Sequence, residues 1–248
     1  MDMRTWQKRL GLMFGFPALF LLASCGSEVA VEEGAEAVAA ASGEIAEGEL
    51  AIPVMGEEIR IIAFGDSLFA GYNLAEDEGY PEKLEAALRA RGTNARVIDA
   101  GVSGDTSAAG LDRLSFTLNA QDEKPDLFIL ELGGNDLLRG LSPGETRANF
   151  AAMLDILAER EIPVLIMGMR APPNYGPEYQ AGFDTLYGEM AAEYGTALIP
   201  FWLEDIYEDP NLFQRDRIHP TAEGIEALVA STLDEVAAAL PESDGDAG

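Results

Sequence analysis

Between Glu57 and Leu240, five short apolar runs alternate with segments of helical periodicity. That alternation constrains the fold more than any other feature of the chain. The runs cover 59–64, 96–100, 127–132, 163–169 and 197–201. Strands that are apolar on both faces belong to parallel sheets covered on both sides. The intervening segments supply the cover. Leu84, Ala87 and Leu88 fall at helical spacing in 80–91, which ends at Gly92. Leu111 and Leu114 do so in 107–118, and Phe150, Met153, Leu154 and Leu157 in 142–161, which opens with Ser142-Pro143. The segment 177–194 stops at Gly195. Thr221 opens a last helix with Ile225, Leu228, Val229, Leu233 and Val236 on one face.

Right-handed crossovers leave few topologies for such a chain. The pattern predicts an α/β fold, a three-layer α/β/α arrangement around a five-stranded parallel sheet of flavodoxin-like order 2-1-3-4-5. That order sets the first strand between the second and third. In open parallel sheets, ligands bind at the carboxyl ends of the strands where the order reverses. The loops meeting there carry Ser67, Gly104 and Asn135. The first run breaks at Gly65-Asp66-Ser67, which presents Ser67 where a nucleophile is expected.

Lys and Arg total 16 against 44 Asp and Glu, a formal net charge of -28. A chain this acidic repels phosphate backbones, so nucleic acid is not an expected partner. The single histidine, His219, is the only residue able to do imidazole chemistry. The single cysteine, Cys25, allows no intrachain disulfide. Arg4, Lys8 and Arg9 precede an apolar stretch over 10–23, shorter than the ~20 residues a spanning helix needs. Leu22-Ala23-Ser24-Cys25 resembles a bacterial lipoprotein processing site. The resemblance implies a signal peptide over 1–24, lipidation of Cys25, export, and anchorage to a membrane of the bacterial cell envelope. Residues 25–56 are rich in Ala, Glu and Gly and read as an acidic flexible tether. The compact domain is expected over 57–240 and a loose acidic tail over 241–248.

Four loop segments carry the candidate chemistry: Gly65-Asp66-Ser67-Leu68, Ser103-Gly104-Asp105-Thr106-Ser107, Gly133-Gly134-Asn135-Asp136 and Asp216-Arg217-Ile218-His219-Pro220. Taken singly, each has a plain structural reading. Ser67 suits a helix N-cap, Gly104 and Gly133-Gly134 suit turns, Asn135 suits a cap, and Asp216 with His219 suits a polar lead-in to the last helix. Together, in order and at one edge of the sheet, they resemble the four signature blocks of the SGNH (GDSL) hydrolase superfamily. The wider similarity is to its bacterial arylesterase, thioesterase I and lysophospholipase group. It takes in Gly71-Tyr72, Asn174-Tyr175-Gly176 and Pro200-Phe201.

The resemblance implies the SGNH hydrolase fold and a serine esterase acting on aryl or acyl esters or thioesters. It implies a triad of Ser67, Asp216 and His219. It assigns the oxyanion hole to the Ser67 and Gly104 backbone N–H groups and the Asn135 side-chain amide. Each role has a physical reason. A serine hydroxyl needs a base to take its proton. His219 can do so while Asp216, three residues earlier, fixes the ring tautomer. The oxyanion of an acyl-transfer intermediate needs preorganised donors. No G-x-S-x-G surrounds Ser67, which separates the chain from the ordinary α/β-hydrolase elbow. Asp66 reads as structural, bonding loop N–H groups. Leu137, Leu138, Pro172, Pro173 and Tyr175 are candidates for an acyl or aryl pocket or for packing. No metal or organic cofactor is implied, and a monomer acting on a small-molecule ester or lipid is expected. Other readings are a carbohydrate O-deacetylase and a non-catalytic ligand-binding lipoprotein of the same fold.

Overall fold

A computed structural model describes Val54 and residues 56–241. The signal segment, Cys25 and nearly all of the tether lie outside the described residues, as does the tail beyond Pro241. Five strands form one parallel sheet in the order β2-β1-β3-β4-β5. They are β1 (Ile59–Gly65), β2 (Ala95–Gly101), β3 (Leu127–Glu131), β4 (Val164–Met167) and β5 (Ala197–Ile199). The helices are α1 (Tyr80–Ala90), α2 (Ser107–Asn119), α3 (Gly134–Leu138), α4 (Pro143–Glu159), α5 (Pro177–Tyr194), α6 (Glu204–Tyr207) and α7 (Ala222–Ala239).

Alternate residues of the central strands feed two separate cores. Ile61 and Ala63 of β1 and Leu127 and Ile129 of β3 pack under α1 and α7, against Leu84, Leu88, Ile225 and Leu228. Ile62, Phe64, Phe128 and Leu130 point to the opposite layer, against Leu114 of α2, Phe150 and Met153 of α4 and Phe183 of α5. This two-sided burial is why the strands read as continuous apolar runs. Phe69, Tyr80 and Trp202 form an aromatic cluster with ring centroids 5.2–5.6 Å apart. The Tyr80 hydroxyl lies 2.6 Å from Thr232 Oγ1 of α7. Phe69 follows Ser67 by two residues, so this cluster anchors the turn that carries Ser67 to the core.

The last two strands are shorter than the runs that announced them. After Met167 the Gly168 N–H still donates to Ile199 O at 2.8 Å, and the Trp202 N–H donates to Gly168 O at 3.2 Å. The Ala171 N–H then turns to the Asp184 carboxylate at 2.8 Å, and ladder pairing ends. The short helices α3 and α6 escape a reading by periodicity because 5 and 4 residues do not span two turns. Among the described residues no helix is long and apolar enough to cross a membrane.

Helix α4, which flanks the Asn135 loop, begins with a capping box. Ser142 Oγ accepts the Glu145 N–H at 3.2 Å, and Glu145 Oε2 accepts the Ser142 N–H at 3.0 Å. Replacing Ser142 by Ala is expected to cost about 1 kcal/mol. For a domain of this size that lowers the thermal midpoint by about 3 °C. An unchanged midpoint would show that packing alone sets the start of α4.

Candidate active site

Ser67 stands immediately beyond β1. The Ala70 N–H donates to Asp66 O at 3.1 Å and the Tyr72 N–H to Ser67 O at 3.2 Å, so the chain enters a helical turn right after the strand. Asp66 is buried within that turn. One of its carboxylate oxygens accepts the Leu68 N–H at 3.0 Å, and the other accepts an N–H of the Asn135 side chain at 2.8 Å. An amide nitrogen carries two hydrogens. With one directed to Asp66, the second is available at the cavity that Asn135, Ser67 and Gly104 line together.

The histidine reaches Ser67 from the loop before α7. His219 Nε2 lies 2.8 Å from Ser67 Oγ, and His219 Nδ1 lies 2.8 Å from Asp216 Oδ2. The other Asp216 oxygen accepts the N–H groups of Ile218 and His219 at 3.0 and 3.1 Å. Partial burial raises the Asp216 carboxyl, but these N–H groups and the imidazole outweigh it and hold it below the ordinary carboxylate value. The intervening Arg217 takes a left-handed φ of 63°, which bends the chain tightly enough for Asp216 to face the ring.

Residues outside the signature blocks, Gln214 and Arg113 foremost, support the site. Gln214 Nε2 donates to Tyr72 O at 2.7 Å and to Pro220 O at 2.9 Å. The Gln214 N–H donates to His219 O at 2.7 Å, so one residue ties the histidine loop to the serine turn. The Tyr72 ring packs on the imidazole with centroids 4.3 Å apart. Arg113 donates to Asp105 at 2.6 Å and to Gly65 O at 2.9 Å, which joins the Gly104 loop to the end of β1. Gly104 itself has a φ of 89°, a conformation costly for any residue with a Cβ, and its carbonyl accepts Arg139 at 2.7 Å. The buried Asp136 accepts the Ser107 N–H at 2.7 Å, the Ser107 hydroxyl, and the Thr146 hydroxyl at 3.1 Å. It thereby fastens α3, and Asn135 with it, to α2 and α4. The contacts of Gln214 with Tyr72 and of Arg113 with Gly65 join positions 142 and 48 residues apart, so neither has a local signature.

The cavity has a volume of about 650 Å³, and its wall includes Leu137, Leu138, Met169, Pro172 and Phe201. Leu137 contributes to this wall and is also buried with the core on that side of the sheet. Pro173 and Tyr175 are not among the lining residues. They form a 3-10 turn against α5, in which the Tyr175 ring packs on Tyr179 at 5.2 Å. That packing, rather than cavity contact, accounts for the tyrosine, and the neighbouring Pro172 takes the wall position. The whole arrangement can activate a hydroxyl, orient its base, and offer N–H donors beside an apolar cavity.

Comparison with known proteins agrees. The model of the GDSL-like lipase/acylhydrolase family matches residues 63–227. Esterase TesA of Pseudomonas aeruginosa is 42% identical over 160 residues, covering 64% of this chain and 79% of that protein. An arylesterase of Vibrio mimicus is 36% identical over 164 residues, 66% of this chain and 81% of its own. The crystal structure of AlinE4, an SGNH-hydrolase family esterase, superposes with a TM-score of 0.64 at 58% identity, covering 76% of this chain and 100% of that one. Matched over the region that holds every loop of the site, this chain belongs to the GDSL-like lipase/acylhydrolase family.

Proposed function

We propose that the chain is a serine esterase that cleaves aryl or acyl esters, or thioesters, through an acyl-Ser67 intermediate. The observation that carries the reading is the continuous chain from Ser67 Oγ to His219 Nε2 and from His219 Nδ1 to Asp216, at 2.8 Å in each step. His219 takes the Ser67 proton as Oγ attacks the carbonyl carbon. Asp216 holds the ring with Nδ1 as donor and stabilises the imidazolium that forms. The carbonyl oxygen becomes an oxyanion facing the N–H groups of Ser67 and Gly104 and the free N–H of Asn135. His219 then gives its proton to the leaving alcohol or thiol. In the second half, water loses a proton to His219 and attacks the acyl carbon, and His219 returns that proton to Ser67 Oγ as the acyl C–O bond breaks and the free acid leaves. The cavity wall of Leu137, Leu138, Met169, Pro172 and Phe201 suits an apolar acyl or aryl group. Its combination with a chain of net charge -28 favours neutral or zwitterionic esters over polyanionic ones. Export, and a lipid anchor at Cys25, complete the reading and rest on the sequence of the first 25 residues.

Ser67→Ala is expected to abolish labelling by a fluorophosphonate and to lower kcat on p-nitrophenyl esters by on the order of 10⁴-fold or more. Undiminished turnover would overturn the assignment. Asn135→Ala should lower kcat by about 10²–10³-fold, as for a lost oxyanion donor. An effect confined to KM would contradict that role.

The pH profile should report Asp66. Burial pushes its carboxyl up to about 6, against the lowering influence of the Leu68 N–H, the Asn135 amide and His219. As pH falls through this region Asp66 takes a proton and the Asn135 amide loses an anionic acceptor. Loss of that acceptor contributes an acid limb to the activity profile. Asp66→Asn should remove the component near 6. Linkage sets the sign for stability. A carboxyl whose folded value is raised favours the folded state when protonated, and that contribution is lost as pH rises from about 4 through about 6. Asp66→Asn should therefore gain relative to wild type across that window, by up to about 3 kcal/mol. Thermal denaturation at both ends of the window reads this directly, and a constant difference between the two proteins would contradict it.

A further inference from the structure

Glu131 closes β3 and is completely buried. It points to the same side of the sheet as Ile129, into the layer that holds Phe69, Met167 and Trp202. Its carboxyl lies where a side chain on Gly65 would go. A Cβ at Gly65 would stand 2.8 Å from Glu131 Oε2 and 2.9 Å from the Glu131 carbonyl oxygen. The first glycine of the nucleophile turn thus makes room for this acid.

The contacts of the carboxyl are few. Oε2 accepts the Asp66 N–H at 3.3 Å, and Oε1 is buried with no hydrogen-bond partner. The titratable groups facing it are Asp66, on the turn after β1, and Tyr187, on α5, whose hydroxyl donates to Leu132 O at 3.0 Å. Behind Asp66 stand His219 and Asp105, and behind Tyr187 stand Asp136 and Tyr179. The neighbour on β4 is Met167. No Lys or Arg forms an ion pair with Glu131 among the described residues. Two adjacent carboxyls without a cation do not both ionise. Asp66 has two good donors and Glu131 one long one, so the charge belongs on Asp66.

The Gly65–Asp66 peptide is therefore held at both ends. Its carbonyl accepts Arg113 at 2.9 Å, and its N–H donates to Glu131 at 3.3 Å. Arg113 approaches over the Phe64 ring, on the α2 layer, and Glu131 lies in the other layer. The next peptide in the chain bears the Ser67 N–H. We propose that Glu131 is a positioning residue that works as a neutral carboxylic acid, bracing the peptide before Ser67 while leaving the single negative charge on Asp66 to hold Asn135. This rests on the reading of Ser67 and Asn135 given above. Burial, reinforced by Asp66, drives the Glu131 carboxyl well above the ordinary carboxylate range, whereas Asp66 rises only to about 6, so Asp66 ionises first. Oε2 then acts as the acceptor and the proton resides on Oε1.

Two variants and one spectrum test this. Glu131→Gln keeps an acceptor oxygen and cannot ionise, and its kcat should stay within about threefold of wild type. Glu131→Leu fills the space but accepts nothing. It should lose about tenfold or more in kcat, with KM altered less than about twofold and fluorophosphonate labelling slowed in proportion. Infrared difference spectra of the two intact proteins at about pH 8 should show a protonated-carboxyl C=O stretch in wild type that Glu131→Gln lacks. Absence of that band from wild type, its persistence in Glu131→Gln, a Gln variant as impaired as the Leu variant, or a Leu variant equal to wild type would each overturn the proposal. Should the Leu variant fail to fold, the Gln kinetics and the spectrum decide. Activity surviving in Ser67→Ala would sink the esterase reading alone, and the infrared result would still report the state of Glu131.

Discussion

The carboxylate of Asp66 joins two pieces of chain that the sheet only brings near each other. The Leu68 N–H on one oxygen fixes the turn that carries Ser67, and the Asn135 amide on the other fixes the loop after β3. The two partners of the second contact are 69 positions apart in sequence. Ser67 and Asn135 thus share one support, and an error in either is not independent of the other. Such precision comes from groups that lock the reacting side chains rather than from those side chains themselves. Burying a carboxylate is costly, and the two donors, with the imidazole nearby, offset only part of that cost.

The distribution of the few cations follows the same logic. In a chain with 16 Lys and Arg against 44 acids, two arginines stand on the frame of the site. Arg113 directs its N–H groups to Asp105 and Gly65 O, and Arg139 directs one to Gly104 O. Both orient main chain in the loops that meet at the sheet's switch point. Their charge also sits close to the carboxylate and carbonyl groups crowded there, which limits the repulsion that an acidic edge would otherwise build up.

Much of this site is legible in the sequence, for identifiable reasons. Strand-helix alternation and the handedness of crossovers put the loops after β1, β2 and β3 side by side, so Ser67, Gly104 and Asn135 could be grouped without coordinates. His219 needed no choice among candidates, since it is the only imidazole. The supporting residues were not legible. Gln214 and Arg113 belong to types that sit on any surface, and their role comes from contacts across the fold. For Tyr175 the sequence left pocket and packing open, and a 3-10 turn directs its ring onto Tyr179.

Glu131 shows where local reasoning and global structure part company. The run Leu127-Phe128-Ile129-Leu130-Glu131-Leu132 reads as a buried strand, and a strand buried on both faces has no place for an acid. Sequence rules broken in this way tend to mark strained or functional positions. The conflict has a physical resolution only at the carboxyl end of the strand, where the neighbouring chain leaves its ladder and exposes an N–H that β3 would otherwise not meet. There the Asp66 N–H needs an acceptor, Gly65 supplies the room, and a neutral acid meets the need without adding a second charge beside Asp66. The same glutamate two residues earlier would face only apolar side chains, so its position at the strand's last residue is what makes it tolerable.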